Sequence, residues 1–115
     1  MKQLEIESSE QVFDYASPAD RPEVKQAAAL LLYLFDQRRQ TPSMGEAFER
    51  FRTLAESHFQ LFLRGDVGAI SDFDSRLHEV IEGAGTRVKL VRPWVEWFQP
   101  PESRVVIRGI VEVQH

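Results

Sequence analysis

The chain contains no cysteine, and this absence excludes a disulfide framework and thiolate chemistry. It also lacks a long apolar run: the longest, Ala27 to Phe35, has nine residues, whereas a membrane-spanning helix needs roughly 20. The first part of the chain has several acidic side chains, so we expect neither a signal peptide nor a transit peptide. We therefore expect a cytoplasmic protein that does not contact a membrane.

The chain also has no excess of basic residues. Asp and Glu number 18 against 14 Lys and Arg, which gives a formal net charge of −4, and the basic residues are dispersed along the chain. Contact with a phosphate backbone needs clustered Lys and Arg. We therefore expect no nucleic-acid partner.

Common catalytic motifs are absent: there is no glycine-rich phosphate loop, no HExxH or CxxC pattern and no serine-nucleophile motif. One acidic cluster could do chemistry, because a helix would stack Asp74, His78 and Glu82 on one face, where His78 could act as a base or bind a metal. Alternatively, Asp74 caps the helix and His78 packs locally. Metal sites normally need three or four converging ligands. We favour the structural alternative and predict no enzyme, no metal site and no cofactor.

The composition is that of an ordinary globular protein, with 43% hydrophobic residues in 115 positions. This length suits a single domain with one modest core. We divide it into an N-terminal segment at 1–17, a helical region at 18–64 and a C-terminal region at 65–115.

The first predicted helix begins between 18 and 22, because Ser17 can cap it and a proline follows directly. No Gly or Pro interrupts the chain from there to Gln40. Apolar residues form a stripe on one face, widened by further apolar neighbours, and so wide a surface needs more than one packing partner. We predict that this stripe also serves dimerisation; its members are Val24, Ala28, Leu31 and Phe35.

A second helix is predicted from about Met44 to Leu63, because its phenylalanines recur at helical spacing. The short TPSMG break before it predicts an antiparallel helical pair. Gly65 is then the expected C-cap of the second helix, and we expect its phenylalanines to be core residues. A short third helix is predicted in DFDSRLHEVIE, 72–82, capped by Asp72 or Asp74.

The last thirty residues change character. VKLVRPWVEWFQ and SRVVIRGIVEVQH are rich in β-branched and aromatic residues, and PPES between them predicts a loop, so we expect at least one β-hairpin. Arg104 and Arg108 share one face of the second strand, with Trp94 and Trp97 across the hairpin. Arg and Trp are typical of protein interfaces. The alternative is a solvated sheet face with both tryptophans in the core.

Four segments in one collinear order resemble a known family. FDSRLHEVI at 73–81 is similar to the signature FDPNLHEAV, and 94–113 is similar to that family's two closing strands. LLYLFDQRRQ at 31–40 and FRTLAESHFQLFLRGDVGAI at 51–70 are similar to its two helices and connector. Over about residues 20 to 113, the chain therefore resembles GrpE, the nucleotide exchange factor of DnaK-type heat-shock 70 chaperones.

The resemblance implies an α+β fold: an N-terminal antiparallel helical hairpin that forms a four-helix bundle in a homodimer, then a short helix and a small C-terminal β-rich wing. It also implies a co-chaperone in protein folding and the stress response, whose wing binds the chaperone's nucleotide-binding domain and promotes ADP release. The family's Pro and Asn are Ser75 and Arg76 here, and its long N-terminal helices have almost no counterpart. The chain therefore resembles a short, stalk-truncated member.

The resemblance also implies contact residues. The family's wing contacts correspond to Arg104 and Val113, and we add Arg108 and Trp97 as partner-binding candidates from the composition of their surface. The alternative is a diverged GrpE-like binding module, such as an adaptor, an antitoxin or an immunity protein, without exchange activity.

Overall fold

The computed structural model describes residues 17–81, 83 and 85–115. The predicted N-terminal segment lies outside this part of the chain except for Ser17. The described residues form two helices and seven strands arranged in two sheets. In chain order these elements are α1 (Pro22–Gln40), α2 (Gly45–Phe59), β1 (Leu61–Arg64), β2 (Ile70–Asp72), β3 (His78–Val80), β4 (Arg87–Arg92), β5 (Trp94–Gln99), β6 (Glu102–Ile107) and β7 (Gly109–Val113).

Helix α1 begins and ends where the sequence predicts. The hydroxyl of Ser17 accepts a hydrogen bond from the Ala19 N–H, at 3.1 Å, and starts a 3-10 turn over Pro18–Asp20. Pro22 then occupies the first turn of α1, where its missing N–H costs nothing. Local signals, the capped 3-10 turn and the first-turn proline, therefore locate the start of this helix.

Helix α2 is shorter than predicted and ends at Phe59, with Gln60 in the left-handed region at φ 54°. The next four residues form β1, which pairs antiparallel with β5. Leu61 and Leu63 pack on the core, while the alternate residues do not. The expected helix end at Leu63 and C-cap at Gly65 are therefore wrong. Residues 61–64 continue the apolar pattern of the helix, but their pairing with β5 holds them in an extended strand.

The seven strands form two sheets. Sheet A has the order β1-β5-β6, and sheet B has the order β2-β4-β7-β3. All neighbouring pairs are antiparallel except β3 and β7, which are parallel. Pro93 separates β4 from β5, and Arg108 separates β6 from β7. The chain thus passes from sheet B to sheet A between β4 and β5, and from sheet A back to sheet B between β6 and β7.

The third predicted helix does not form. One turn is present, because the N–H groups of Leu77 and His78 both donate to the Asp74 carbonyl at 3.0 and 2.8 Å. The chain then becomes β3, in which His78 pairs with Gly109 of β7. The turn predicted at Asp74 is therefore present. Beyond it, pairing with β7, which is distant in sequence, determines the conformation of the chain.

The larger core cluster lies between the helices and sheet A. Phe35 of α1 and Phe48 of α2 meet edge to face, with ring centroids 5.8 Å apart. Trp97 of β5 is buried in the same cluster. A smaller cluster in sheet B is built from Val88, Leu90 and Val111.

The predicted architecture of a helical hairpin bundle followed by a short helix and a small wing is therefore wrong. The structure is an α+β fold that is mostly β-rich, and its two helices share their core with sheet A. The sequence pattern correctly marks an apolar stripe on α1 but does not reveal that strands cover it. Within the described residues, no helix is long and apolar enough to cross a membrane.

The stripe proposed for dimerisation is covered within the single chain. Its four residues are all buried and belong to the larger core cluster: Val24, Ala28, Leu31 and Phe35. The large apolar residues that α1 exposes are instead Leu30 and Tyr33. The burial of the stripe is thus explained without a second copy, and the homodimer stays a prediction.

Candidate partner-binding surface and two adjacent clefts

Arg108 lies at the junction between the two sheets and contacts the turn that precedes β3. One of its guanidinium nitrogens donates to the Ser75 carbonyl at 3.5 Å, and another lies 3.5 Å from the Glu79 carboxylate. About half of each charged side chain remains exposed, 48% for Arg108 and 58% for Glu79. The parallel pairing of β3 with β7 brings these residues together and presents them to solvent.

Arg104 lies on β6 in sheet A, opposite Trp97 of β5. Its guanidinium is 3.2 Å from the carboxylate of Asp20, in the turn before α1. Four residues of extended chain span roughly 13 Å. Arg104 and Arg108 are therefore two separate exposed cations, each paired with a carboxylate.

The other two predicted contact residues are less accessible. Trp97 is only 2% exposed and belongs to the core between the helices and sheet A, so its indole does not reach the surface. Val113 is half-buried at the end of β7 and packs on the small core cluster of sheet B. The structure thus assigns Arg104 and Val113 to different sheets.

His78 is buried, and its ring makes one local hydrogen bond and two aromatic contacts. Its Nδ1 accepts a hydrogen bond from the Asp74 N–H at 3.1 Å. The ring lies between Phe73 and Trp94, at centroid distances of 5.9 and 5.8 Å. Glu82 lies outside the described residues. Within the described chain, no group of three or more His, Cys, Asp or Glu side chains is placed to hold a metal ion.

Asp74 is held by Arg76. Its carboxylate accepts hydrogen bonds from the Arg76 side chain at 3.0 and 3.3 Å, and from the Arg76 N–H at 2.9 Å. The side-chain hydrogen bond, followed by the backbone one, lowers the pKa of Asp74 below its ordinary value of 3.8. The carboxylate thus stays ionised and fixes the turn before β3.

An acidic cleft of about 330 Å³ adjoins this turn. Asp66, Asp72 and Asp74 contribute its carboxylates, and Leu90 and Trp94 contribute apolar lining. Asp72 and Asp74 are each paired with an arginine, Arg87 and Arg76. The carboxylates are therefore partly neutralised by the protein itself.

A larger basic cleft of about 650 Å³ lies on the other side of the loop that follows β1. Four guanidinium groups line it, from Arg38, Arg39, Arg52 and Arg64. Gly65 and Asp66 line both clefts, so this loop is the ridge between them. The sequence did not predict the basic cleft, because its arginines come from both helices and from β1, which was interpreted as a helix end.

Comparisons with known proteins found no family model, no curated protein and no solved structure that matches this chain. The resemblance to GrpE therefore depends on the quoted segments alone.

Proposed function

We propose that the protein acts by binding another protein, as a GrpE-like co-chaperone that promotes ADP release from a DnaK-type chaperone. The proposal depends on the collinear resemblance over about residues 20 to 113. A cytoplasmic location and a homodimer are part of the same proposal. No covalent chemistry is required of the chain.

One structural observation supports the proposal most. The two segments with the clearest resemblance, 73–81 and 94–113, are separated in sequence, but β3 of the first pairs with β7 of the second in sheet B, where Glu79 lies opposite Ile110 and Val80 opposite Val111. Arg108 extends this association through its contacts with Ser75 and Glu79. The two segments thus meet at β3 and β7, beside the exposed Arg108.

Nucleotide exchange on the chaperone would follow from preferential binding of this protein to the ADP-free state. A protein that binds the ADP-free, open chaperone more tightly than the ADP-bound one must weaken ADP binding by the same factor. Each tenfold weakening corresponds to roughly 1.4 kcal/mol of that preference. The exposed Arg104 and Arg108 are the proposed contacts, because arginines often contribute much of the energy at interfaces.

The second candidate is a protein-binding module without exchange activity, such as an adaptor, an antitoxin or an immunity protein. The difference in fold from the expected helical bundle favours this candidate. The two are separated by measuring the release of labelled ADP from the DnaK-type chaperones of the same organism, together with binding to those chaperones. Acceleration supports the co-chaperone proposal, whereas binding without acceleration supports the module.

A further inference from the structure

Two neighbouring arginines of the basic cleft are held in place by contacts that do not themselves neutralise their charges. The Arg38 guanidinium lies 4.9 Å from the ring centroids of both Phe35 and Phe48. Arg39 lies 5.9 Å from the Phe35 centroid and donates to the Val91 carbonyl at 3.2 Å. An aromatic ring and a carbonyl oxygen orient a guanidinium without neutralising it.

The other charges around the cleft do not cancel these two. Arg64 is paired with Glu96 at 2.6 Å, and Arg52 with Glu56 at 3.2 Å. Within the described residues, neither Arg38 nor Arg39 forms an ion pair with a carboxylate. Among the described residues, Asp66 contributes the single carboxylate of the lining.

We propose that the basic cleft is a binding site for a small phosphate-bearing ligand, with Arg38 and Arg39 as the residues that recognise the phosphate. This site goes beyond the proposed co-chaperone activity and does not depend on it. Guanidinium groups match phosphate oxygens through paired N–H donors, and their desolvation is less costly than that of an ammonium. The volume of about 650 Å³ falls within the range of small-ligand sites.

Charge favours phosphate over carboxylate. A phosphate ester carries about −1.5 to −2 at neutral pH, which matches two guanidinium groups that pair with no carboxylate of the described residues, whereas one carboxylate carries only −1. Phe35 and Phe48 also fix the orientation of Arg38 before a ligand arrives, so less side-chain entropy is lost on binding. Asp66 opposes an anion, so it should limit affinity.

The test is a calorimetric titration of the full chain with inorganic phosphate, pyrophosphate and ADP at constant ionic strength set by chloride. Arg38→Ala and Arg39→Ala should each weaken binding at least about tenfold, because each removes a charged hydrogen-bond donor. Arg38→Lys keeps the charge but loses the planar fork, so it should also weaken binding. Arg50→Ala, whose arginine pairs with Glu46 outside the cleft, is the matched control and should change nothing.

Asp66→Asn is expected to strengthen phosphate binding, so the test does not depend only on variants that weaken it. Removing this carboxylate should tighten phosphate binding severalfold, and circular dichroism of each variant checks that it is folded. Preference for pyrophosphate or ADP over free phosphate would identify the ligand class while keeping the proposal. Equal binding by wild type and both arginine variants, or tighter Arg38-dependent binding of a glutamate-rich peptide than of any phosphate, would overturn it.

Discussion

The guanidinium of Arg108 lies 3.5 Å from the carboxylate of Glu79, across the parallel pair of β7 and β3. Both side chains are about half exposed. An ion pair in this position contributes little stability, about 0 to 1 kcal/mol. Its arginine is therefore available for a partner without a large cost to the fold.

The exposed arginines should be needed for partner binding but not for folding. Arg104→Ala combined with Arg108→Ala should abolish binding to the chaperone, measured by calorimetry, with the melting temperature within a few degrees of wild type. The control is Arg50→Ala combined with Arg87→Ala, which removes the same charge from other surface ion pairs. Unchanged affinity in the first double variant would show that these arginines are not the contact.

Trp97 should act in stability rather than in contact with a partner. It is 2% exposed in the core between the helices and sheet A. Trp97→Ala should lower the free energy of unfolding by about 3–5 kcal/mol, measured by urea denaturation. Leu30→Ala on the exposed side of α1 should cost much less. A loss below about 1 kcal/mol for Trp97→Ala would contradict the packing described here.

Gly65 should be sensitive to substitution for two reasons. Its φ is +93°, and a Cβ there would lie 2.5 Å from the Trp94 ring and 2.7 Å from Leu90. Gly68 has a similar φ of +95° but no heavy atom within 4 Å of its Cβ position. Gly68→Ala therefore isolates the backbone strain, about 1–2 kcal/mol, and Gly65→Ala should cost distinctly more in urea denaturation. Equal losses of unfolding free energy in the two variants would contradict this close packing, because they would mean that the loop moves freely away from Trp94.

The Asp74–Arg76 contact should give a pH-dependent contribution to stability. Because the pKa of Asp74 is lowered in the folded state, its contribution is fully present above the ordinary value of 3.8 and is lost as the pH falls through the lowered pKa. NMR titration should find a pKa below 3.8 in wild type and a return towards 3.8 in Arg76→Ala. The stability difference between the two proteins should shrink at the acidic end. An Asp74 pKa that Arg76→Ala leaves unchanged would exclude this contact.

Elements determined by local chemistry could be predicted from sequence. Ser17 caps the 3-10 turn that precedes helix α1, and Pro22 occupies the first turn of the helix, so both signals lie within a few residues of its start. The β5–β6 hairpin was predictable for the same reason, because the loop and both strands are contiguous.

Elements determined by distant partners could not be predicted in this way. β1 depends on β5 for its hydrogen bonds, and β3 depends on β7. The basic cleft could not be predicted from sequence for the same reason, because Arg38 and Arg64 become neighbours only when α1 packs on sheet A. Arg104 and Arg108 are exposed, whereas Trp97, which was predicted to be a surface residue from the composition of the hairpin, is buried. Alternation along a strand does not say which face is buried.

The central proposal is tested most directly by the release of labelled ADP from the DnaK-type chaperones of the same organism, with and without this protein. We expect release to be accelerated at least about tenfold, which corresponds to roughly 1.4 kcal/mol of preferential binding to the ADP-free chaperone. The acceleration should disappear in the Arg104→Ala, Arg108→Ala double variant. An unchanged rate of ADP release at saturating protein would contradict the proposal.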